Sequence, residues 1–165
     1  MKQINQEKFQ AGKNKFLFGS FAAIITNLGI IAGLFSSGNA KGNIIGSMLV
    51  IAIADNISDT LGIHIYQEAE GLTQAQVWLS SLTNFASRFF VSLIFVLLIA
   101  LLPLNLAAAV CLAFSLAAIS LISYFIAVFK KRNPWVAIFE HLAVAGVVIV
   151  VSRILGNLIT SYFYR

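Results

Sequence analysis

Five apolar stretches of roughly membrane length alternate with short polar stretches along the chain. A helix rises about 1.5 Å per residue, so about 20 apolar residues cross the roughly 30 Å hydrocarbon layer. Helices satisfy their own backbone hydrogen bonds inside a bilayer, and the alternating pattern of a membrane β-barrel does not occur here. The pattern predicts an all-α integral membrane protein with five transmembrane helices, over residues 16–35, 43–66, 85–102, 107–129 and 139–163.

The polar stretches predict a tail and one additional helix. Residues 1–15 are expected to form a short tail, and residues 16–165 the membrane domain. Thr73 and Gln76 have the spacing of a capping box, which predicts an interfacial helix over about 73–83. Its tryptophan suits the headgroup level, or packs on the flank of the protein. A cleaved signal peptide is a competing interpretation, although the first apolar run is longer than a typical signal core.

Composition agrees with a membrane protein. Hydrophobic residues make up 59% of the chain and charged residues 10%, and the mean hydropathy of +0.91 exceeds that of soluble domains. Cys111 is the single cysteine, so no intrachain disulfide is possible. The net charge of +5 is assigned to loops, and nucleic acid is therefore not an expected partner.

Basic residues predict the orientation, because cytoplasmic loops carry an excess of Lys and Arg. Lys41 and Arg165 lie on one side of the five predicted spans. Eight basic residues are assigned to the other side, in the tail and the second and fourth loops: Lys2, Lys8, Lys13, Lys15, Arg88, Lys130, Lys131 and Arg132. The N-terminus is therefore expected in the cytoplasm and the C-terminus on the opposite side.

Four of the six acidic residues lie within residues 54–70, which include the end of the second span. Asp55 and Asp59 are one helical turn apart and near mid-membrane, where charge is costly unless it faces a cavity, a partner or an ion. Carboxylate oxygens suit Mn²⁺, Fe²⁺ or Mg²⁺, so the pair predicts a metal site. The structural alternative is pairing of an aspartate with Arg153 or hydrogen bonding to Asn27 or Ser58.

Other polar residues of the second span have both functional and structural interpretations. His64 and Glu68 share a helix face near Glu70, at the expected cytoplasmic mouth, where they either gather metal ions or form a solvated helix end. Asn56 is expected to be a packing hydrogen-bonder. Arg153 is expected to be a counter-charge that fixes helix packing.

Gly29 and Gly33 form a GxxxG pair, which allows close helix approach in a homodimer or within one chain. No HExxH sequence, nucleophile with a positioned base or phosphate-binding glycine loop is present, so an enzyme is not expected. No tightly bound cofactor is expected either. Two nearby carboxylates in a low-dielectric layer favour protonation of one, so protons and a divalent cation should compete.

Four segments resemble the vacuolar iron transporter family. They are Thr-Asn-Leu-Gly-Ile-Ile-Ala-Gly at 26–33, Ala-Asp-Asn-Ile-Ser at 54–58 followed by Gly62, and Asn-Pro-Trp at 133–135 with Ser-Arg-Ile-Leu-Gly at 152–156. The resemblance implies a dimer of five-helix subunits, and the expected location is the inner cell membrane. Such a dimer would export Fe²⁺ or Mn²⁺ from the cytoplasm in exchange for protons, along a path near the dimer axis.

The chain departs from that family's pattern in several places. Ala22 stands where the family has an aspartate, Asp59 where it has a methionine, and Ile63 where it has an acidic residue. The cytosolic metal-binding domain between spans two and three is absent, so the resemblance is to a short member. These departures leave a second hypothesis open, a non-transporting accessory or scaffold protein that kept the fold.

Overall fold

The computed structural model describes residues 2–38 and 40–163, and for residues 2–15 it describes the backbone alone. Within these ranges the chain forms five helices and no strand: α1 Lys2–Ser36, α2 Lys41–Ala69, α3 Gln74–Leu101, α4 Leu104–Phe129 and α5 Pro134–Phe163. All five are long and apolar enough to cross a membrane, α1 through its segment Phe16–Ser36. The prediction of an all-α, multi-pass membrane protein with five spans is confirmed.

Local sequence signals set the helix boundaries. Gly71, with φ of 74°, makes the turn after α2, in a left-handed conformation that glycine adopts without strain. The Thr73 backbone N–H then donates to Gln76 Oε1 at 3.1 Å in the capping box that starts α3. Pro103 precedes α4, and Pro134 is the first residue of α5, where its missing N–H leaves no helical bond unmade.

Two predicted boundaries differ from the structure. The interfacial helix expected over 73–83 is the first part of α3, which continues without a break into the third span. No glycine or proline interrupts residues 74–101, and three of the polar residues that lower hydropathy at its start, Ser80, Ser81 and Asn84, are buried between helices. Likewise, the described part of the predicted tail, residues 2–15, continues α1 as helix.

Helix α1 is the centre of the bundle and packs against α3, α5, α4 and, less closely, α2. Helix α2 packs mainly on α3, and α5 on α1 and α4. All five helices contribute buried apolar side chains to the core: Ile24, Leu28, Ile31, Ile44, Met48, Phe95, Val96, Ile99, Ala107, Cys111, Ile119 and Ala145.

The glycines of α1 allow close packing on α5 of the same chain. A Cβ at Gly29 would lie 3.1 Å from Val148 Cγ1, and one at Gly33 would lie 3.2 Å from the carbonyl oxygen of Ser152. A Cβ at Gly156 would lie 2.2 Å from the Gly33 carbonyl oxygen. Within one chain, the GxxxG pair therefore serves the contact between α1 and α5, and its assignment to dimer packing stays a prediction.

Helices α1 and α5 run parallel, because Gly33 meets Gly156 and, one turn later, Thr160 Oγ1 donates to the Ser37 carbonyl oxygen at 3.1 Å. The described chain therefore starts and finishes at opposite ends of the bundle. We call the end with the α2–α3 and α4–α5 turns the basic end, since Lys130, Lys131 and Arg132 lie there, and the other the opposite end. The side chains of Lys2, Lys8, Lys13 and Lys15, and Arg165 as a whole, lie outside the described residues, so the orientation in the membrane stays a prediction.

Candidate functional site

Asp55 and Asp59 of α2 face Arg88 of α3, and we call these three residues the charge cluster. Arg88 Nη2 donates to Asp55 Oδ2, and Arg88 Nη1 donates to Asp59 Oδ2 at 3.2 Å. Asp55 is the middle residue of α2 and Arg88 lies near the middle of α3. The cluster therefore lies near the centre of a bilayer that these helices span.

Arg153 was the expected counter-charge of the aspartates, but Arg88 is the arginine that pairs with them. Arg153 is on α5, where its Nε donates to Ser36 Oγ at 3.3 Å, close to the opposite end of the bundle. For the orientation, Arg88 was counted with the second loop, although it lies inside the predicted third span, residues 85–102. Its position in the middle of α3 makes it the partner of both aspartates.

The charge cluster carries a net charge of −1 when its three groups are ionised. The Arg88 side chain is 8% exposed, whereas those of Asp55 and Asp59 are 50% and 34% exposed. Both ion pairs, and the bond from Asn84 Nδ2 to Asp59 at 3.2 Å, use the Oδ2 atoms. Among the described residues, neither Oδ1 atom accepts a hydrogen bond, so each carboxylate keeps an oxygen for another ligand.

Polar contacts between α2 and α3 continue from the cluster to the basic end, and we call this line the polar seam. Its contacts are Asn84 Nδ2 to Thr60 Oγ1 at 3.2 Å, Asn56 Nδ2 to the Phe85 carbonyl at 2.9 Å, His64 Nδ1 with Ser81 Oγ at 3.2 Å, and Gln67 Nε2 to Ser80 Oγ at 2.8 Å. Asn56 also accepts from Thr60 at 3.4 Å, so its amide packs the helices together and does not reach the aspartates. The seam links mid-membrane to one surface.

The sequence of α3 explains the seam. Buried polar residues recur every three or four positions, at Ser80, Ser81, Asn84, Ser87, Arg88 and Ser92. This spacing places them on one helix face, which packs against α2 and α1. The same spacing was a readable signal for Arg88, since a basic residue in register with buried serines belongs to the packed face of a helix.

Polar residues of α3 also contact α1. Asn27 Nδ2 donates to Ser92 Oγ at 2.9 Å and to the Ala23 carbonyl at 2.8 Å. A Cβ at Gly19 would overlap Ser87 Oγ and would lie 2.9 Å from the Asn84 carbonyl oxygen, so glycine allows the two helices to touch. Asn27 therefore joins α1 to α3. The structural alternative had offered a hydrogen bond between Asn27 and an aspartate, and Asn27 makes no such bond to Asp55.

Buried polar atoms without a partner occur beside this seam. In the described part of the chain they are Ser20 Oγ, Gln67 Oε1 and Asn84 Oδ1. Burying an acceptor without a hydrogen bond costs about 1–3 kcal/mol. Gln67 Oε1 and Asn84 Oδ1 therefore keep an unused acceptor inside the seam.

The residues expected at the cytoplasmic mouth lie at the basic end of the seam. His64 Nε2 is 3.9 Å from Glu68 Oε1, which also accepts from Gln74 Nε2 at 2.7 Å. The Trp78 ring contacts the His64 ring edge-on, with centroids 4.8 Å apart. Trp78 is at the same time exposed at the surface of the bundle. Glu70 follows α2 as its C-cap and is exposed.

The five proposed metal-binding residues do not form one site. Asp55 and Asp59 belong to the charge cluster, while His64, Glu68 and Glu70 are one to four helical turns nearer the basic end. Over the described residues, no group of three or more His, Cys, Asp or Glu side chains could hold a metal ion. Within one chain, the structure therefore contains a two-carboxylate cluster and a separate group of His64, Glu68 and Glu70 at the basic end.

The sequence matches no family model, and no curated protein or solved structure matches the chain.

Proposed function

We propose that this protein transports a divalent cation, Fe²⁺ or Mn²⁺, out of the cytoplasm, and that the charge cluster is the site where the ion rests halfway. One observation carries the proposal: the cluster has a net charge of −1 near mid-membrane, and half of the Asp55 side chain is exposed. Charge in that position usually belongs to an ion or proton pathway. The free Oδ1 atoms supply the hard oxygen ligands that these ions prefer.

The polar seam is the proposed route between the basic end and the cluster. Glu68 and Glu70 attract the cation at the mouth, beside His64. The unpartnered acceptors of Gln67 and Asn84 lie along the seam from there to the aspartates. Arg88 stays bound to the Oδ2 atoms and holds both carboxylates in place while their Oδ1 atoms bind the ion.

We further propose that two copies form a homodimer in which the exposed faces of α2 meet. A lone chain would present the half-exposed Asp55 to lipid, which is unfavourable for a carboxylate. Two clusters would together carry a charge of −2, which one divalent cation balances. The resemblance to the vacuolar iron transporter family supports the same arrangement, with an ion path near the dimer axis in the inner cell membrane.

Proton coupling follows from the same charge balance. Either one divalent cation or two protons neutralise the excess charge of two clusters, so the two kinds of ion compete. Protons that enter from the far side would release the cation, and the cytoplasmic cation would in turn release the protons. The exchange is electroneutral under this scheme.

An accessory or scaffold role is the second candidate. It is favoured by the pairing of both aspartates with Arg88, which resembles a structural ion pair between two membrane helices. Ala22, in place of the family's first aspartate, favours it as well. Such a protein would keep the charge cluster for packing and carry no ion.

Flux in lipid vesicles separates the two candidates. Vesicles that contain the protein and a pH-sensitive dye should show Mn²⁺ or Fe²⁺ moving one way and protons the other. Asp55→Asn or Asp59→Asn makes the cluster neutral, and each variant should abolish both signals. Glu140→Gln is the matched control, because Glu140 pairs with Arg132 at 3.6 Å at the basic end and lies outside the cluster. Flux at the parental rate in both Asn variants would support a structural role for the aspartates.

A further inference from the structure

A cavity of about 250 Å³ lies between α1, α4 and α5, on a different side of the bundle from the charge cluster. Its inner wall is apolar and includes Leu28, Ile31 and Ile149. Its rim toward the opposite end is polar and consists of Ser36, Asn105 and Arg153. The cavity therefore combines an apolar interior with a cationic rim.

Arg153 reaches toward this rim from within the membrane-spanning part of α5. Gly156 lies one turn beyond Arg153 along α5 and packs against Gly33 of α1. Arg153 Nε nevertheless bonds to Ser36 Oγ, which lies beyond Gly33 at the end of α1. The side chain thus extends toward the membrane surface, as arginines near helix ends do to keep their charge out of hydrocarbon. Its guanidinium therefore lies beside Ser36, the last residue of α1, close to the opposite end of the bundle.

The described residues supply no carboxylate for Arg153. The six acidic residues of the chain are Glu7, Asp55, Asp59, Glu68, Glu70 and Glu140. None lies at the opposite end of the bundle, and among the described residues no carboxylate is within 4 Å of Arg153. Lys41, the other described basic residue of that end, is already bound to the Ala100 and Leu102 carbonyls at 2.7 and 2.9 Å. No described carboxylate therefore balances the charge of Arg153, and an external anion can do so.

We infer that this cavity binds one anionic phospholipid. Its acyl chain lies along Leu28, Ile31 and Ile149, and its phosphate binds the Arg153 guanidinium. A guanidinium matches phosphate oxygens in a bidentate geometry, and the Asn105 amide at the same rim is a further donor. Because the apolar interior opens directly below the cation, the site suits an anionic lipid rather than free phosphate. The site does not depend on ion transport.

Lipid binding to the purified protein in neutral detergent tests this inference by native mass spectrometry. The probes are phosphatidylglycerol and phosphatidylcholine with identical acyl chains. The parent protein should retain one phosphatidylglycerol per chain and prefer it by about fivefold, the effect of one basic side chain at an anionic membrane surface. Arg153→Gln should remove this preference, while Arg153→Lys should keep part of it. Arg132→Gln, at the basic end, is the matched control and should leave it unchanged.

Two further arms establish where the lipid binds. Ala108→Trp places a large side chain in the cavity wall and should weaken the binding of both lipids while Arg153 is intact. Millimolar inorganic phosphate should not displace phosphatidylglycerol. Equal binding of the two lipids, an unchanged preference in Arg153→Gln, unchanged binding in Ala108→Trp, or displacement by phosphate would each overturn the inference.

Discussion

Arg88 is bound to two carboxylates of the neighbouring helix, so the three side chains depend on one another inside the membrane. Removal of one partner from a buried ion pair leaves an uncompensated charge, which costs more than the pair contributes. This asymmetry separates a coupled cluster from three independent polar residues.

Arg88→Gln should lower the free energy of unfolding by about 1–3 kcal/mol. The effect is smaller than the about 3–5 kcal/mol of a fully buried pair, because the Asp55 side chain is half exposed. Asp55→Asn combined with Asp59→Asn should also destabilise, since Arg88 is then unpaired. The triple variant removes all three charges and should recover most of the loss. Melting temperatures of the four proteins measure the coupling, and strictly additive shifts would contradict it.

At this scale, the sequence revealed one half of the cluster. Asp55 and Asp59 stand out because they interrupt an apolar run of membrane length. Arg88 does not, because it follows a serine-rich stretch whose low hydropathy resembles a loop. Its partners depend on how α2 and α3 face each other, and hydropathy alone contains no information on that packing.

Helix packing in this bundle depends on small residues at the contact between α1 and α5. Gly156 is buried against the backbone of Gly33, whereas Gly146 of the same helix has no atom within 4 Å of an added Cβ. The two glycines are therefore a matched pair, one in a tight contact and one in open space.

Gly156→Ala should destabilise the protein by about 1–3 kcal/mol, because its Cβ would overlap the Gly33 carbonyl and force the helices apart. Gly146→Ala should be neutral or stabilise by up to about 1 kcal/mol through better helix propensity. Thermal unfolding of both variants in the same detergent provides the measurement. Equal melting temperatures for the two variants would show that α1 and α5 do not approach so closely.

The sequence predicted the number of helices correctly, but it predicted their boundaries less accurately. Apolar runs identify a span whatever it packs against. The start of α3 was misplaced because Ser80, Ser81 and Asn84 are polar, and only the packed bundle shows that they are buried. The roles of Gly29 and Gly33 were open for the same reason, since a GxxxG pair does not specify whether its partner helix belongs to the same chain.

For the whole molecule, the proposed dimer depends on the side of α2 that carries Asp55, where Ser58 and Gly62 are also exposed. Ser58→Cys should therefore form a disulfide between two copies in native membranes under oxidising conditions, after Cys111 is replaced by Ala. Val147→Cys is the control, because Val147 is 63% exposed but lies on α5. A monomeric mass in nanodiscs, together with no cross-link at Ser58→Cys, would contradict the dimer.

Equilibrium binding of Mn²⁺ tests most directly whether the charge cluster holds a divalent cation. The loss of free Mn²⁺ signal in electron paramagnetic resonance, measured with protein in nanodiscs, gives both affinity and stoichiometry. We predict about one Mn²⁺ for every two chains, since one divalent cation balances two clusters of net charge −1. Asp55→Asn and Asp59→Asn should each abolish binding, and Glu140→Gln should retain it. Absence of binding to the parent protein, or parental binding in both Asn variants, would contradict the proposed function.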